Sequence, residues 1–364
     1  MSRCTGVVLS GVGLLGLWLA TTSHLAACCA VPRSGQPVVN ADQTVVIVWD
    51  PARKRQHFIR QASFQSQGDD FAFLIPTPTQ PELEESGNEA FPLLRRLTEP
   101  GIQRVSRRTQ GGGCGCGSTP IAPGSFPAED QVAVIEEKQL AGFDAVVLEA
   151  ASGEALVEWL REHDYEFSPA AQTWAQPYID SGWMITALRV SKSEAGQSDR
   201  RVDAAALRLS FQTDRPLFPY REPDSGASAE ALGAKHRLLR IYFLSDARYV
   251  GRTTPEDPWS GQVAWSDKVL PKDRSQLLEH LNLPHDTGPD EWWLTEFEDH
   301  WRYRVAPADV YFSKAGDQSP VKRSPIIQYV SRTAPIDLSA CAWGVLLLAG
   351  PAWRRARRRR RLVS

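Results

Sequence analysis

The sequence predicts an α+β protein, mostly antiparallel β-sheet with a few inserted helices. Two observations carry that reading. Short strand-like apolar segments recur from Thr44 to Phe312, and only three stretches show helical spacing. A third observation separates this body from its two ends, which read as membrane-directed segments.

The first strand expected is Thr44–Asp50, where Val45, Val46, Ile47, Val48 and Trp49 form a continuous buried-strand run. Gln56–Phe64 alternates, with Phe58, Ala62 and Phe64 pointing one way. Asp70–Pro76 is the third strand and ends in proline. Short connections between these three predict an antiparallel meander. Glu89–Leu97 places Phe91, Leu94 and Leu97 at helical spacing. Residues 99–130 read as a Gly/Pro/Ser-rich connection with almost nothing apolar to bury. Gln131–Lys138 and Phe143–Glu149 are strands, and Gly153–Asp164 is the clearest helix, with Leu156, Trp159 and Leu160 on its apolar face. Trp183–Val190, Ala206–Gln212 and Arg237–Leu244 are further strands. Lys272–Leu281 reads as a helix and Val310–Phe312 as a last short strand. The body spans residues 30–313, with a subdivision open near 225–235. Residues 314–337 read as a polar linker.

Residues 1–29 have the form of an export signal. Arg3 is the positive start, Val7–Ala20 the apolar stretch, and Leu25-Ala26-Ala27-Cys28 a lipoprotein-type cleavage site with Cys28 as the acyl acceptor. An ordinary secretory signal is the alternative, because Leu25 is large for a small-x-small site. Leu338–Trp353 is sixteen residues without charge, against roughly 17–20 for a spanning helix. Arg354, Arg355, Arg357, Arg358, Arg359, Arg360 and Arg361 follow it in the tail 354–364. The positive-inside tendency puts them on the cytoplasmic side, with a transmembrane or C-terminal sorting helix before them. The body then lies outside the membrane, in the periplasm or on the cell surface.

The 364 residues carry a net charge of −2. Arg3 and the seven tail arginines are eight of the 41 basic residues, while all 43 acids lie between the ends, so the body is acidic by ten. That excludes the electrostatic footprint of a nucleic-acid binder.

Several segments together resemble a bacterial envelope family known as domain of unknown function 2330. They are Cys28-Cys29, Pro37–Val48, Gly68-Asp69-Asp70-Phe71 through Thr77-Pro78, and Phe91–Leu97 with Thr98-Glu99-Pro100. Gly142–Ala150, Ala155–Leu160 and Trp183–Val190 extend the likeness, which runs from about residue 28 to about 220. The resemblance implies an exported or membrane-attached protein. It transfers no activity.

Cys28, Cys29, Cys114 and Cys116 make two tight pairs of thiols. Outside the cytoplasm disulfides persist, and neighbouring cysteines bridge each other poorly. Cross-bridges from the mature N-terminus to the glycine loop are therefore expected. Four thiolates on zinc or copper(I) are the alternative, although the spacing is tight for zinc. Lipidation of Cys28 would remove both four-thiol readings. Cys341 falls inside the apolar tail.

His280, His285 and His300 lie near Glu296, Glu298 and Asp299 in sequence, without a metal-ligand spacing. Asp69, Asp70 and Asp144 could do acid/base work, but aspartate before a strand more simply caps a turn. No nucleophile elbow or phosphate-binding loop is present. Trp259, Trp265, Trp292, Trp293 and Trp301 crowd one region, as a binding surface for a glycan or protein or as core. No cofactor is expected. The leading expectation is a membrane-anchored, non-catalytic binding or structural module. A hydrolase-like enzyme with an unfamiliar site, or a metal or redox protein on the four cysteines, are the alternatives.

Overall fold

The computed structural model describes residues 30–32, 38–66, 70–106, 134–140, 143–165, 169–191, 201–203, 206–222, 237–254, 257–301 and 308–330. All six cysteines, both ends, Asp69 and the glycine loop lie outside the described residues.

Two large sheets form the main compact unit, residues 1–99 with 121–323. The smaller is ordered β1 (Ala30–Pro32), β4 (Asp70–Thr77), β9 (Met184–Ser191), β8 (Phe143–Leu148) and β7 (Val134–Leu140), antiparallel throughout. The larger runs β15 (Gln262–Lys268), β16 (Trp293–Trp301), β13 (Arg237–Ser245), β2 (Val38–Asp50), β3 (Arg55–Ser66), β11 (Leu207–Gln212) and β5 (Glu82–Glu85), with β10 (Arg201–Asp203) also on β3. A three-stranded sheet, β12 (Leu217–Phe218), β17 (Val310–Lys314) and β14 (Tyr249–Arg252), adds to the same core.

Four layers result. Strand alternation sends Val45, Ile47 and Trp49 of β2 and Phe71, Phe73 and Ile75 of β4 into one shared core between the sheets. The opposite face of β4, Ala72 and Leu74, packs under α2 (Gly153–Glu162) and α3 (Pro169–Asp180). The opposite face of β2, Val46 and Val48, packs under α1 (Ala90–Thr98) and α4 (Pro271–His280). Helices therefore cover the outer face of each sheet. The apolar runs at residues 45–49 and 71–75 are the direct consequence, because both faces of these strands are buried.

The expected α+β class holds, with four short helices among the described residues. The expected meander is corrected. β2 and β3 form a hairpin, but β4 leaves for the other sheet. One pairing in the larger sheet is parallel, β13 on β2. Residues 99–130 and 314–337, expected as connection and linker, each contribute a strand. β6 (Ile102–Ser106) and β18 (Ile326–Val330) pair in parallel as a two-stranded ribbon. The ribbon belongs to a second compact unit, residues 100–120 with 324–364. Among the described residues no helix is long and apolar enough to cross a membrane. The 338–353 run lies outside them.

Candidate functional site

The larger sheet is covered only in part. Past α4 its outer face turns polar, and a cleft of about 500 Å³ opens there. Alternate residues of three strands form the floor: Arg55 and His57 from β3, Arg208 and Ser210 from β11, Glu82 and Glu84 from β5. Period-two alternation puts them on one face, and the register sets Ser210 between His57 and Glu82.

The wall is the loop after α4. Asn282 adopts a left-handed backbone (φ 52°), while Asn282 N–H donates to the Glu279 carbonyl and Leu283 N–H to the Leu278 carbonyl. Asparagine tolerates that conformation, so the helix ends sharply there. Arg53 then clamps loop to floor. Its Nη2 donates to Asp286 Oδ2 (2.9 Å) and its Nη1 to Asp286 O (2.8 Å) and Asp50 Oδ2 (3.0 Å). Asp50 closes the β2–β3 turn by accepting from the Ala52 and Arg53 amides. Burial opposes its ionisation, but the hydrogen bonds from Arg53 and Ala52 hold its carboxyl below the usual range.

The cleft is a ladder of opposite charges. Arg55 pairs with Glu82, and Arg208 with Glu84. Arg208 is deeply buried, whereas Glu84 and Glu82 are 47% and 65% exposed. At the floor, His57 Nδ1 lies 2.8 Å from Ser210 Oγ, both buried. This is a nucleophile–base pairing in distance. Burial, then the Arg208 and Arg55 charges, push the imidazole down to about 3. Such a ring is neutral at pH 7 and a weak proton acceptor, poorly matched to general-base work.

A second polar cluster is internal. Asp299 Oδ2 accepts from Tyr220 Oη (2.8 Å), Trp259 Nε1 (3.0 Å) and Ser260 Oγ (3.1 Å). Glu222 pairs with Arg237, both buried. Asp309 accepts from Tyr178 Oη (2.7 Å) and the Arg221 amide (3.0 Å), and Trp174 Nε1 donates to the Arg221 carbonyl. Residues 220–222 thus tie α3, β13 and β16 together.

The residues singled out from sequence fall elsewhere. Trp259, Trp265, Trp292 and Trp293 are all under 9% exposed, so these four rings are core and form no exposed aromatic surface. Trp301 closes β16, and its side chain lies outside the described residues. Asp144 faces Arg189 across the β8–β9 pair at 3.7 Å, a cross-strand ion pair. Asp70 opens β4. His280 ends α4, His285 follows it, and His300 is 70% exposed beside Glu298. Among the described residues, no three His, Cys, Asp or Glu side chains are grouped to hold a metal. Cys28, Cys29, Cys114, Cys116 and the tail arginines lie outside the described residues.

Layered sheets, helices on both outer faces and a charged cleft beside α4 define an α+β sandwich with a polar recess. The chain belongs to the family described as "Uncharacterized protein conserved in bacteria (DUF2330)", whose model matches residues 22–313. The match reaches well past residue 220 and takes in the tryptophan-rich region. No curated protein matches the chain in sequence. Two solved structures of baculovirus P35 are similar at 7% identity. One covers 82% of this chain and 99% of that chain, with a TM-score of 0.33. The other, a mutated P35 after caspase cleavage, covers 78% and 97%, with a TM-score of 0.30. At these values the likeness carries neither fold nor function to this chain.

Proposed function

We propose that this chain is a non-catalytic binding module, exported and held at a bacterial envelope membrane, whose ligand site is the charged cleft beside α4. The observation that carries the reading is the floor of that cleft. Arg55, Arg208, Glu82 and Glu84 are arranged to meet charged groups, while the His57–Ser210 pair has its imidazole held far below neutrality. Half-exposed carboxylates on a buried guanidinium are displaceable counter-ions, so a ligand carboxylate or phosphate can take the place of Glu84 on Arg208. Membrane attachment rests on the two ends of the sequence.

An enzyme is the rival, and His57–Ser210 is where it would reside. The test uses the full chain in detergent with general ester, phosphate, peptide and glycoside substrates. No turnover above buffer that depends on this pair is expected. Turnover abolished by both His57→Ala and Ser210→Ala, in variants that keep the parent circular dichroism, overturns the binding-module reading.

A further inference from the structure

The β6–β18 ribbon is an unusual object. Parallel strands are ordinarily covered on both faces, and a two-stranded pair is marginal in water on its own. Here Ile102, Ile326, Ile327 and Tyr329 are 62%, 56%, 52% and 58% exposed. Ile326 and Ile327 are successive, so their side chains point to opposite faces. Ile326 lies beside Ile102 in the register, and Ile327 shares its face with Tyr329. Each face of the ribbon therefore offers large apolar side chains to its surroundings.

Two facts point to the occupant. A folded protein partner would dock on one face, whereas apolar side chains on both suit a medium that surrounds the strands. The second fact is position. Seven residues lie between Val330 and Leu338, the start of the uncharged run that precedes the seven tail arginines. Fully extended, that stretch spans at most about 28 Å. If the run lies in the bilayer, the ribbon cannot be far from its surface. Tyrosine is a residue of the membrane–water interface, and exposed Arg104 on β6 suits anionic headgroups.

We propose that the ribbon Ile102–Ser106/Ile326–Val330 is a membrane-contacting element that seats Ile102, Ile326, Ile327 and Tyr329 in the interfacial layer of the bilayer from which the chain projects. It rests on the membrane-anchored reading and adds a specific lipid contact to it. Insertion is shallow, because a two-stranded ribbon has free edges whose backbone groups need water or headgroups. The contact gives the body a second point of attachment beside the apolar run, which restricts its tumbling over the membrane.

The experiment uses the full chain in its native membranes. p-Benzoyl-phenylalanine is placed at Ile327, at Tyr329 and, as a control, at exposed Glu279 in α4. The two ribbon positions are more than half exposed, so the added ring displaces no core packing. After illumination the expected product is a phospholipid adduct at 327 and 329 and none at 279. A crosslink to a second copy, to another protein or within the chain, or no adduct at either ribbon position, overturns the proposal. Fractionation of the parent chain separates the two readings. If the parent sediments with membranes at high salt and the ribbon gives no lipid adduct, only the ribbon proposal falls. If the parent is soluble, the anchoring reading falls and the ribbon proposal with it.

Discussion

Replacing Arg237 with methionine tests whether the interior holds a dry ion pair. The Arg237 and Glu222 side chains are 1% and 6% exposed. Burial pushes the Glu222 carboxyl up to about 7 from 4.5. The Arg237 guanidinium pulls against that, and the Asp299 charge adds to it. A carboxyl raised in the folded state contributes stability that is complete below the unfolded pKa and is lost as pH rises through about 7. The displacement corresponds to roughly 3 kcal/mol between the two limits. Removing the guanidinium leaves the carboxylate buried without its main counter-charge, and breaking such a pair from one side costs about 3–5 kcal/mol. The expected result for Arg237→Met is a loss of that size near pH 8, shrinking toward pH 5 as Glu222 takes up a proton. Adding Glu222→Leu removes the orphaned charge and should return most of the loss, because apolar replacement of a whole buried pair is often neutral. Urea unfolding of the detergent-solubilised full chain, followed by tryptophan fluorescence near pH 5 and pH 8, supplies the numbers. The comparison is between variants at each pH, since other buried groups titrate in the parent. A loss below about 1 kcal/mol near pH 8, or one equal at both pH values, would refute the dry pair.

Two further outcomes are expected. Because His57 is pushed down to about 3, its ring-proton shifts should stay flat from near pH 8 to near pH 5. Its contribution to stability is present above about 6.5, its ordinary value, and declines as pH falls below it. A His57 midpoint between pH 5 and 7 would remove the buried, arginine-flanked ring from the argument. Peptide mapping of envelope-purified protein without reduction should join Cys29 to Cys114 or Cys116. Finding all of these thiols free and alkylatable counts against the cross-link.

Much of the strand pattern was legible because apolar side chains on these strands are buried. The runs at 45–49 and 71–75 announced strands enclosed on both faces, and α2 showed its stripe plainly. What they could not show was which sheet each strand joins. β4 reads like a third meander strand, and only its packing between the shared core and α2/α3 separates it from β3. α3 went unread although Ala171, Trp174, Ala175, Tyr178 and Ile179 follow helical spacing, because Pro177 inside it reads as a breaker. β16 was hidden by its buried acids, Glu296 and Asp299, which neutralise the apolar alternation. The cleft left a fainter signal. Polar residues at every second position, in Arg53/Arg55/His57, Glu82/Glu84 and Arg208/Ser210, mark a polar strand face, but nothing local indicates that three such faces meet. His57 and Ser210 are 153 residues apart and meet only through strand register.

The place of β2 has a consequence for how the chain is assembled. One neighbour, β3, follows across a tight turn, but the other is β13, with Gln43–Val48 aligned on Leu239–Leu244. A chain delivered N-terminus first, from a ribosome or across a membrane, presents β2 early and its second partner 196 residues later. Until β13 arrives, one of the most apolar strands in the molecule has an open edge, the kind that recruits other chains. Closure of the larger sheet is thus a late, long-range event, slow by its sequence separation. The N-terminal half should require shielding, by a chaperone or by rapid delivery of the remainder, and truncation before residue 245 should yield aggregate instead of a smaller folded protein.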